Sequence, residues 1–330
     1  MYKSLLLPAS TWLARLSLLV GVLITSLAGI LIKVGEQDVS PFSITFNRLW
    51  IAGLAFLIWE VVGDHFSHQM LPVKTIDEEP SYKDWLLLTI AGLIRATAIS
   101  LWAYSLLFTS VTNFTLLHNF EPIFIPLIAI FYNRKIPGRG YWLGWLLSVV
   151  GLLGLALEEL HITSTTLVGD EIALSAAFLT TFYYFIKEKL VVKFTVHKIL
   201  MWVCFIGALF SLPLILLNGE AIFPHNYQGW FAVILLALLC QFLGHGLITY
   251  ALKCISAELV MLALPMEVIL AAILSRITLN EVLSIPNYLC CGVIVIGMII
   301  ATSSPSSLRN QDVDSVSLAN PEKIQANQSS

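Results

Sequence analysis

Charge is scarce in this chain of 330 residues: only 12% are Asp, Glu, Lys or Arg, where an ordinary soluble domain carries about 25%. What charge there is nearly cancels, at −3 with a pI near 6.2, and no long basic run occurs, so a nucleic-acid partner is excluded. No G-x-x-x-x-G-K-[ST] stretch is present, which removes a P-loop as the energy source. The five cysteines, Cys204, Cys240, Cys254, Cys290 and Cys291, show no C-x-x-C spacing and lie in or beside apolar runs. Neither a zinc site nor a disulfide framework is expected from them, and no metal or cofactor is implied. An intramembrane hydrolase would hold paired catalytic groups at one membrane face, whereas the polar residues of the apolar runs here fall singly at mid-depth. From Ser303 onward there is no aromatic residue and no apolar period, so 304–330 reads as a disordered cytoplasmic tail.

What remains is oil. Hydrophobic residues make up 58% of the chain and the mean hydropathy is +0.84, the balance of an all-α membrane protein with many crossings. A helix needs about 20 residues to cross the hydrocarbon core. On that measure the apolar runs predict ten transmembrane helices, near 12–34, 41–62, 85–108, 109–132, 141–159, 169–188, 198–218, 228–250, 256–276 and 286–303. The first has some look of a signal peptide, with Lys3 ahead of it and SLAG near its end, but it runs past Ala28 to Lys33 and is expected to stay as a span. If the N-terminus is cytoplasmic, 14 of the 18 lysines and arginines fall on the inner side, and the outer side keeps Lys33 and Arg276 at span edges. Both termini are therefore expected in the cytoplasm, with the protein in the cell (plasma) membrane.

The sequence also repeats itself. A shift of 146 lays Tyr104 on Tyr250, Leu106 on Leu252, Ser110 on Ser256, Glu121 on Glu267 and Gly151 on Gly297, without a gap from the third span through the fifth. A looser shift of 154 lays Ile32 and Lys33 on Ile186 and Lys187, and Gly53 on Gly207. Five spans per copy is an odd number, so the two copies, 12–159 and 169–303, are expected to cross the membrane in opposite directions. The loops agree: NRKIPGRG follows the fourth span, and its counterpart ITLNEVLSIP carries no base.

FTLLHNFEPIFIPLIAIFYNRKIPGRGYWLGWLLSVVGLLG and its partner ISAELVMLALPMEVILAAILSRITLNEVLSIPNYLCCGVIVIGMII resemble the paired EamA repeats of the drug/metabolite transporter superfamily. Glu121-Pro122 matches the mid-span element of the family pattern, Glu267 its second copy, Asn280-Glu281 the second turn, and FNRLWIAGLAF with Arg48 the second span. Lys135 in the first turn, Val268 after the second glutamate and Cys290 at a frequent glycine site depart from the pattern. The resemblance implies a ten-helix secondary carrier of two inverted five-helix repeats with a central cavity between them.

Ionisable groups at mid-span are the candidates for that cavity. Arg95, Glu121 and Glu267 all fall near the middle of their spans, where a charge costs about 2.5–3.5 kcal/mol on insertion scales unless it is paired, wet or neutral. Arg95 and Glu121 have two readings: a structural pair between consecutive antiparallel helices, or groups that meet substrate or a coupling proton. His118 precedes Glu121 by three positions and shares its helical face, as donor to the carboxylate or as proton relay. Gln241 and His245, four apart on the eighth span, either line the cavity from the other half or hydrogen-bond between helices. Arg48 either steers an anionic group or snorkels outward as a structural residue, and Trp102 and Tyr104 are packing or interface aromatics or part of a substrate cage. Pro122, Pro126 and Pro265 free backbone carbonyls that a ligand or a neighbouring helix has to satisfy.

The expected function is secondary transport of a small organic metabolite, with an amino acid or related compound as the candidate class. The alternative is a membrane-embedded enzyme or a helical scaffold protein. The partners are then a small-molecule substrate and the lipid bilayer, with a homo-dimer as the candidate assembly.

Overall fold

A computed structural model describes residues 7–70, 80–105, 107–109, 116–132, 138–159, 166–270 and 285–303. Among the described residues the chain is helical throughout and has no strand, which is what a bilayer solvent demands, because a helix satisfies its own backbone groups. The helices are α1 (Leu7–Thr25), α2 (Ala28–Gly35), α3 (Pro41–Met70), α4 (Tyr82–Ser105), α5 (Glu121–Tyr132), α6 (Arg139–Glu159) and α7 (Leu167–Lys193). They continue with α8 (Val196–Leu217), α9 (Tyr227–Leu235), a π-helix at Leu236–Gly244, α10 (His245–Ala251), α11 (Ala257–Ala263) and α12 (Ile285–Ser303). Among the described residues six helical stretches are long and apolar enough to cross a membrane: Trp12–Gly35, Pro41–Val62, Tyr82–Ser105, Arg139–Leu157, Val196–Leu217 and Tyr227–Ala251. Leu116–Ile128 and Pro286–Ala301 are shorter apolar helices. Large side chains such as Leu157, Leu209 and Leu217 point outward and are exposed, an arrangement that lipid tolerates and water does not.

The main pairings are α3 with α8, α6 with α12, α4 with α7, and α1 with the π-helix and α10. Small residues let these backbones approach. A Cβ at Gly151 would lie 2.8 Å from the Cys290 carbonyl oxygen, and one at Gly297 would lie 2.6 Å from that of Gly144. Gly207 similarly makes room for Leu49, and Gly53 for Phe205, where α3 crosses α8. Without a hydrophobic drive between helices in lipid, close packing of this kind is what holds a bundle together.

Antiparallel packing of α4 on α7 defines the two ends of the molecule. Trp85 meets Phe194 edge-on at 5.0 Å, Arg95 bonds Thr180 at mid-length, and Thr109, just beyond α4, bonds Asp170. One end therefore carries the α7–α8 corner at Phe194, where Glu60 on α3 also meets His197 at 2.8 Å. The other carries the α2–α3 corner: Phe42 lies 6.4 Å from Tyr104, and Asp38 accepts from the backbone N–H groups of His225 and Asn226 at 2.9 and 3.1 Å.

Several runs expected as unbroken spans are interrupted. The first breaks at Ser26–Leu27, between α1 and α2. Thr25 and Ser26 hydroxyls there bond carbonyls three and four residues back, a habit that bends helices. The fourth has a turn at Asn119–Phe120, so Glu121 begins α5, and the ninth has one at Leu264–Pro265. The eighth widens into the π-helix. The end of the ninth expected span, the loop 161–165 and the tail 304–330 lie outside the described residues.

Candidate functional site

All four interruptions meet at one cavity of about 120 Å³. Thr25, Ser26, Asn119, Glu121, Cys240, His245, Leu264 and Glu267 line it from the four broken segments, and Arg48, Arg95, Thr180 and Tyr184 from the intact α3, α4 and α7. A broken helix is tolerated at membrane depth where its freed backbone faces protein or a wet cavity. Pro126 shows the local remedy. Its missing N–H would leave the Pro122 carbonyl without its α-helical donor, and the Trp145 indole N–H donates to that oxygen at 2.7 Å. Glu121 opens α5, and Glu267 lies in the first turn of the helix that resumes at Met266. Both carboxylates thus stand at the positive ends of half-helices.

The polar groups are only partly satisfied. Arg95 Nη1 donates to Thr180 Oγ1 at 3.1 Å, and its guanidinium lies 5.6 Å from the Tyr183 ring centre. Thr25 Oγ1 donates to Glu267 Oε1, joining the first and ninth segments. His118 Nε2 stands 4.0 Å from Glu121 Oε1, too far for a hydrogen bond. Among the described residues, Glu121 Oε2, His118 Nδ1 and Arg48 Nε are buried with no hydrogen-bond partner. Three buried polar atoms left open around one cavity mark a place for water or solute rather than a sealed core.

Five of the six residues expected at the site line this cavity: Arg95, His118, Glu121, His245 and Glu267. Gln241 does not. Its Nε2 turns to Cys204 Sγ on α8 at 3.6 Å, and it is buried, the helix-to-helix contact that stood as the other reading of this residue. The π-helix that carries it winds more widely than an α-helix, so a face counted at α spacing does not continue through Leu236–Gly244. Of the two readings of Arg95 and Glu121, the structural pair is not made: no ion pair joins them among the described residues. Arg48 lines the cavity and is buried instead of snorkelling. Trp102 lines it too, its ring 5.7 Å from that of His118, whereas Tyr104 is exposed beside Phe42. The sequence signal for Arg48 was its charge within an apolar run.

The exposed lining residues, Gly29 and Lys33, both belong to α2, so the cavity reaches the surface at the end that carries the α2–α3 corner. Glu36 sits at this mouth, where burial pushes its carboxyl up from the ordinary value and nearby Lys33 pulls it back.

Three comparisons bear on the chain. The model of the EamA-like transporter family matches residues 12–157 and 167–303. A protein of Archaeoglobus fulgidus described as an uncharacterized transporter is 24% identical over 256 residues, covering 76% of this chain and 84% of its own. A solved structure superposes with a TM-score of 0.71 at 17% identity over 88% of this chain and 96% of that one, a likeness of fold alone. With its apolar helices and the family match over most of its length, the chain is a multi-pass integral membrane protein and belongs to the EamA-like transporter family.

Proposed function

We propose that this protein is a secondary carrier for a small zwitterionic organic solute, an amino acid or related compound, bound in the cavity between two inverted five-helix repeats. The observation that carries the reading is the charge layout of the cavity. Arg48 and Arg95 supply two guanidiniums and Glu121 and Glu267 two carboxyls to one buried space, and none of the four is ion-paired with another among the described residues. Buried charges are normally paired within the protein, so a solute that brings one charge of each sign is the complement that this arrangement lacks. Trp102 and Tyr184 add apolar lining for its body.

The ten-span inverted architecture is supported by how the glycines pack. The shift of 146 that carries Gly151 to Gly297 also carries Gly144 to Cys290 and Ser148 to Ile294. Gly151 packs on Cys290 and Ile294, while Gly297 packs on Gly144 and Ser148. Contacts that map onto themselves under exchange of the two copies are what a pseudo-two-fold axis between repeats produces. The two stretches matched by the family model, 12–157 and 167–303, support the same division. The inward bias of lysine and arginine supports a reading with both termini in the cytoplasm of a cell membrane and the mouth at α2 outside.

The test is purified protein in vesicles. A zwitterionic amino acid of the right size should raise the melting temperature, by about 2.7 kcal/mol of stabilisation at a hundredfold excess over Kd, and should cross the membrane unchanged. Analogues lacking either the amino or the carboxylate group should do neither. Recovery of a chemically altered solute would replace the carrier with a membrane-embedded enzyme.

A further inference from the structure

The carrier reading leaves one buried cation without a task. Lys187 on α7 is 1% exposed, and among the described residues no carboxylate forms an ion pair with it. Its Nζ instead faces two rings, 5.1 Å from the centre of Tyr183 and 4.8 Å from that of Tyr184. Cation–π contacts soften the burial of an ammonium, but a buried lysine that forms no ion pair with a carboxylate among the described residues is costly to keep for packing alone.

Its place in the repeat supplies a reason. The shift of 154 puts Lys187 on Lys33. Lys33 is exposed at the open mouth of the cavity. Lys187 lies seven residues beyond Thr180, about 10 Å along α7 at 1.5 Å per residue, toward the α7–α8 corner at the opposite end. Tyr184 lines the cavity and Lys187 packs against its ring, beyond the lining. At this shut end α3 and α8 are held together by Glu60 with His197 and Thr195. The same position in the two copies is therefore wet at one end and dry at the other.

We propose that Lys187 is a solute-facing cation of a second state of this protein. When the cavity closes at α2 and opens toward the α7–α8 corner, Lys187 becomes hydrated, holds the mouth as Lys33 does here, and draws the anionic group of the incoming solute. This rests on the carrier reading, since it requires two access states. Desolvation of Lys187 in the state described here also tilts the balance toward the state that hydrates it.

The experiment uses a membrane-impermeant thiol reagent on the full-length protein in oriented vesicles, with the wild type reporting any reaction of native cysteines. Lys33→Cys should react from one side and Lys187→Cys from the other only, and a bulky adduct on Lys33→Cys, which wedges the α2 mouth open, should slow reaction at position 187 at least threefold. If Lys187→Cys folds poorly, Lys187→Met serves in its place. Removing the desolvated cation should favour the state seen here and raise the labelling rate of Lys33→Cys at least threefold, while Lys187→Arg, which keeps the charge, should not. A position 187 that is never reached, or is reached from the Lys33 side, overturns the proposal, as does a Lys33→Cys rate indifferent to Lys187→Met. Wild-type flux of zwitterionic amino acids is measured in the same vesicles: flux with position 187 unreached removes this inference and keeps the carrier, and reciprocal labelling without that flux keeps the two access states and removes the zwitterionic solute.

Discussion

Arg95 and Glu121 line the same cavity and do not pair: the guanidinium donates to Thr180 Oγ1 at 3.1 Å, and one oxygen of the carboxylate is left with no hydrogen-bond partner among the described residues. Breaking a buried ion pair by removing one partner costs about 3–5 kcal/mol, because a charge is stranded. Here no charge would be newly stranded by neutralising Glu121.

Glu121→Gln should accordingly unfold within about 1 kcal/mol of the wild type, while Arg95→Gln, which abandons Thr180, should lose about 1–3 kcal/mol. The double variant should be additive within about 0.5 kcal/mol. Thermal unfolding of the three proteins, beside vesicle flux, checks this. The expected result is three folded proteins and no transport in any that lacks Glu121; full flux through the double variant would remove both residues from the binding site.

Energy coupling can be read from flux. Of the ionisable groups at the centre of the cavity, Arg48, Arg95, His118, Glu121, His245 and Glu267, a carboxyl or an imidazole can cycle a proton, since arginine does not give one up. If Glu267 does so, an imposed pH gradient should accelerate uptake, and Glu267→Gln should keep flux while abolishing that response. Flux unchanged by both pH and membrane potential would leave facilitated diffusion.

Orientation has its own check. Tags on both termini should be reached only from the cytoplasm, and a cysteine introduced in the loop 161–168 should label from outside. Termini on opposite faces would leave an odd number of spans, which two five-span repeats do not allow.

The glycine crossings predict a graded stability series. Gly151→Leu and Gly297→Leu press a side chain into the facing backbone at Cys290 and Gly144, and each should lose at least about 1–3 kcal/mol. Gly246→Ala, where nothing lies within 4 Å, should lose nothing and gain up to about 1 kcal/mol of helix propensity. Chemical or thermal unfolding in detergent reads both.

Trp145→Phe isolates the repair of the proline break. It keeps the ring but removes the donor to the Pro122 carbonyl, so it should cost about 1–3 kcal/mol. A neutral effect in the same unfolding assay would mean that another donor serves that oxygen.

Much of this was legible in the chain itself. Spans and their lengths depend on the cost of moving a local stretch of side chains into hydrocarbon, and that cost is additive along the sequence. The mid-span positions of Arg95, Glu121 and Glu267, and the shift of 146 that joins the two glutamates, needed no coordinates. The helix breaks at Asn119 and Leu264 were hinted at by Pro122, Pro126 and Pro265, whereas the break at Ser26 had only the hydroxyls of Thr25 and Ser26 to announce it.

Which of these groups meet was decided only by the tertiary structure. Arg48 entered the cavity and Gln241 left it, and Arg95 took Thr180 in preference to Glu121. Each outcome depends on how far a helix is rotated about its axis. That rotation is set by distant contacts, such as Gly207 on Leu49 and Thr25 on Glu267, and by the wider winding of Leu236–Gly244. Hydropathy measures how deep a residue lies in the membrane; it carries no information about the direction in which that residue points, because in lipid the two faces of a helix differ by packing and not by water.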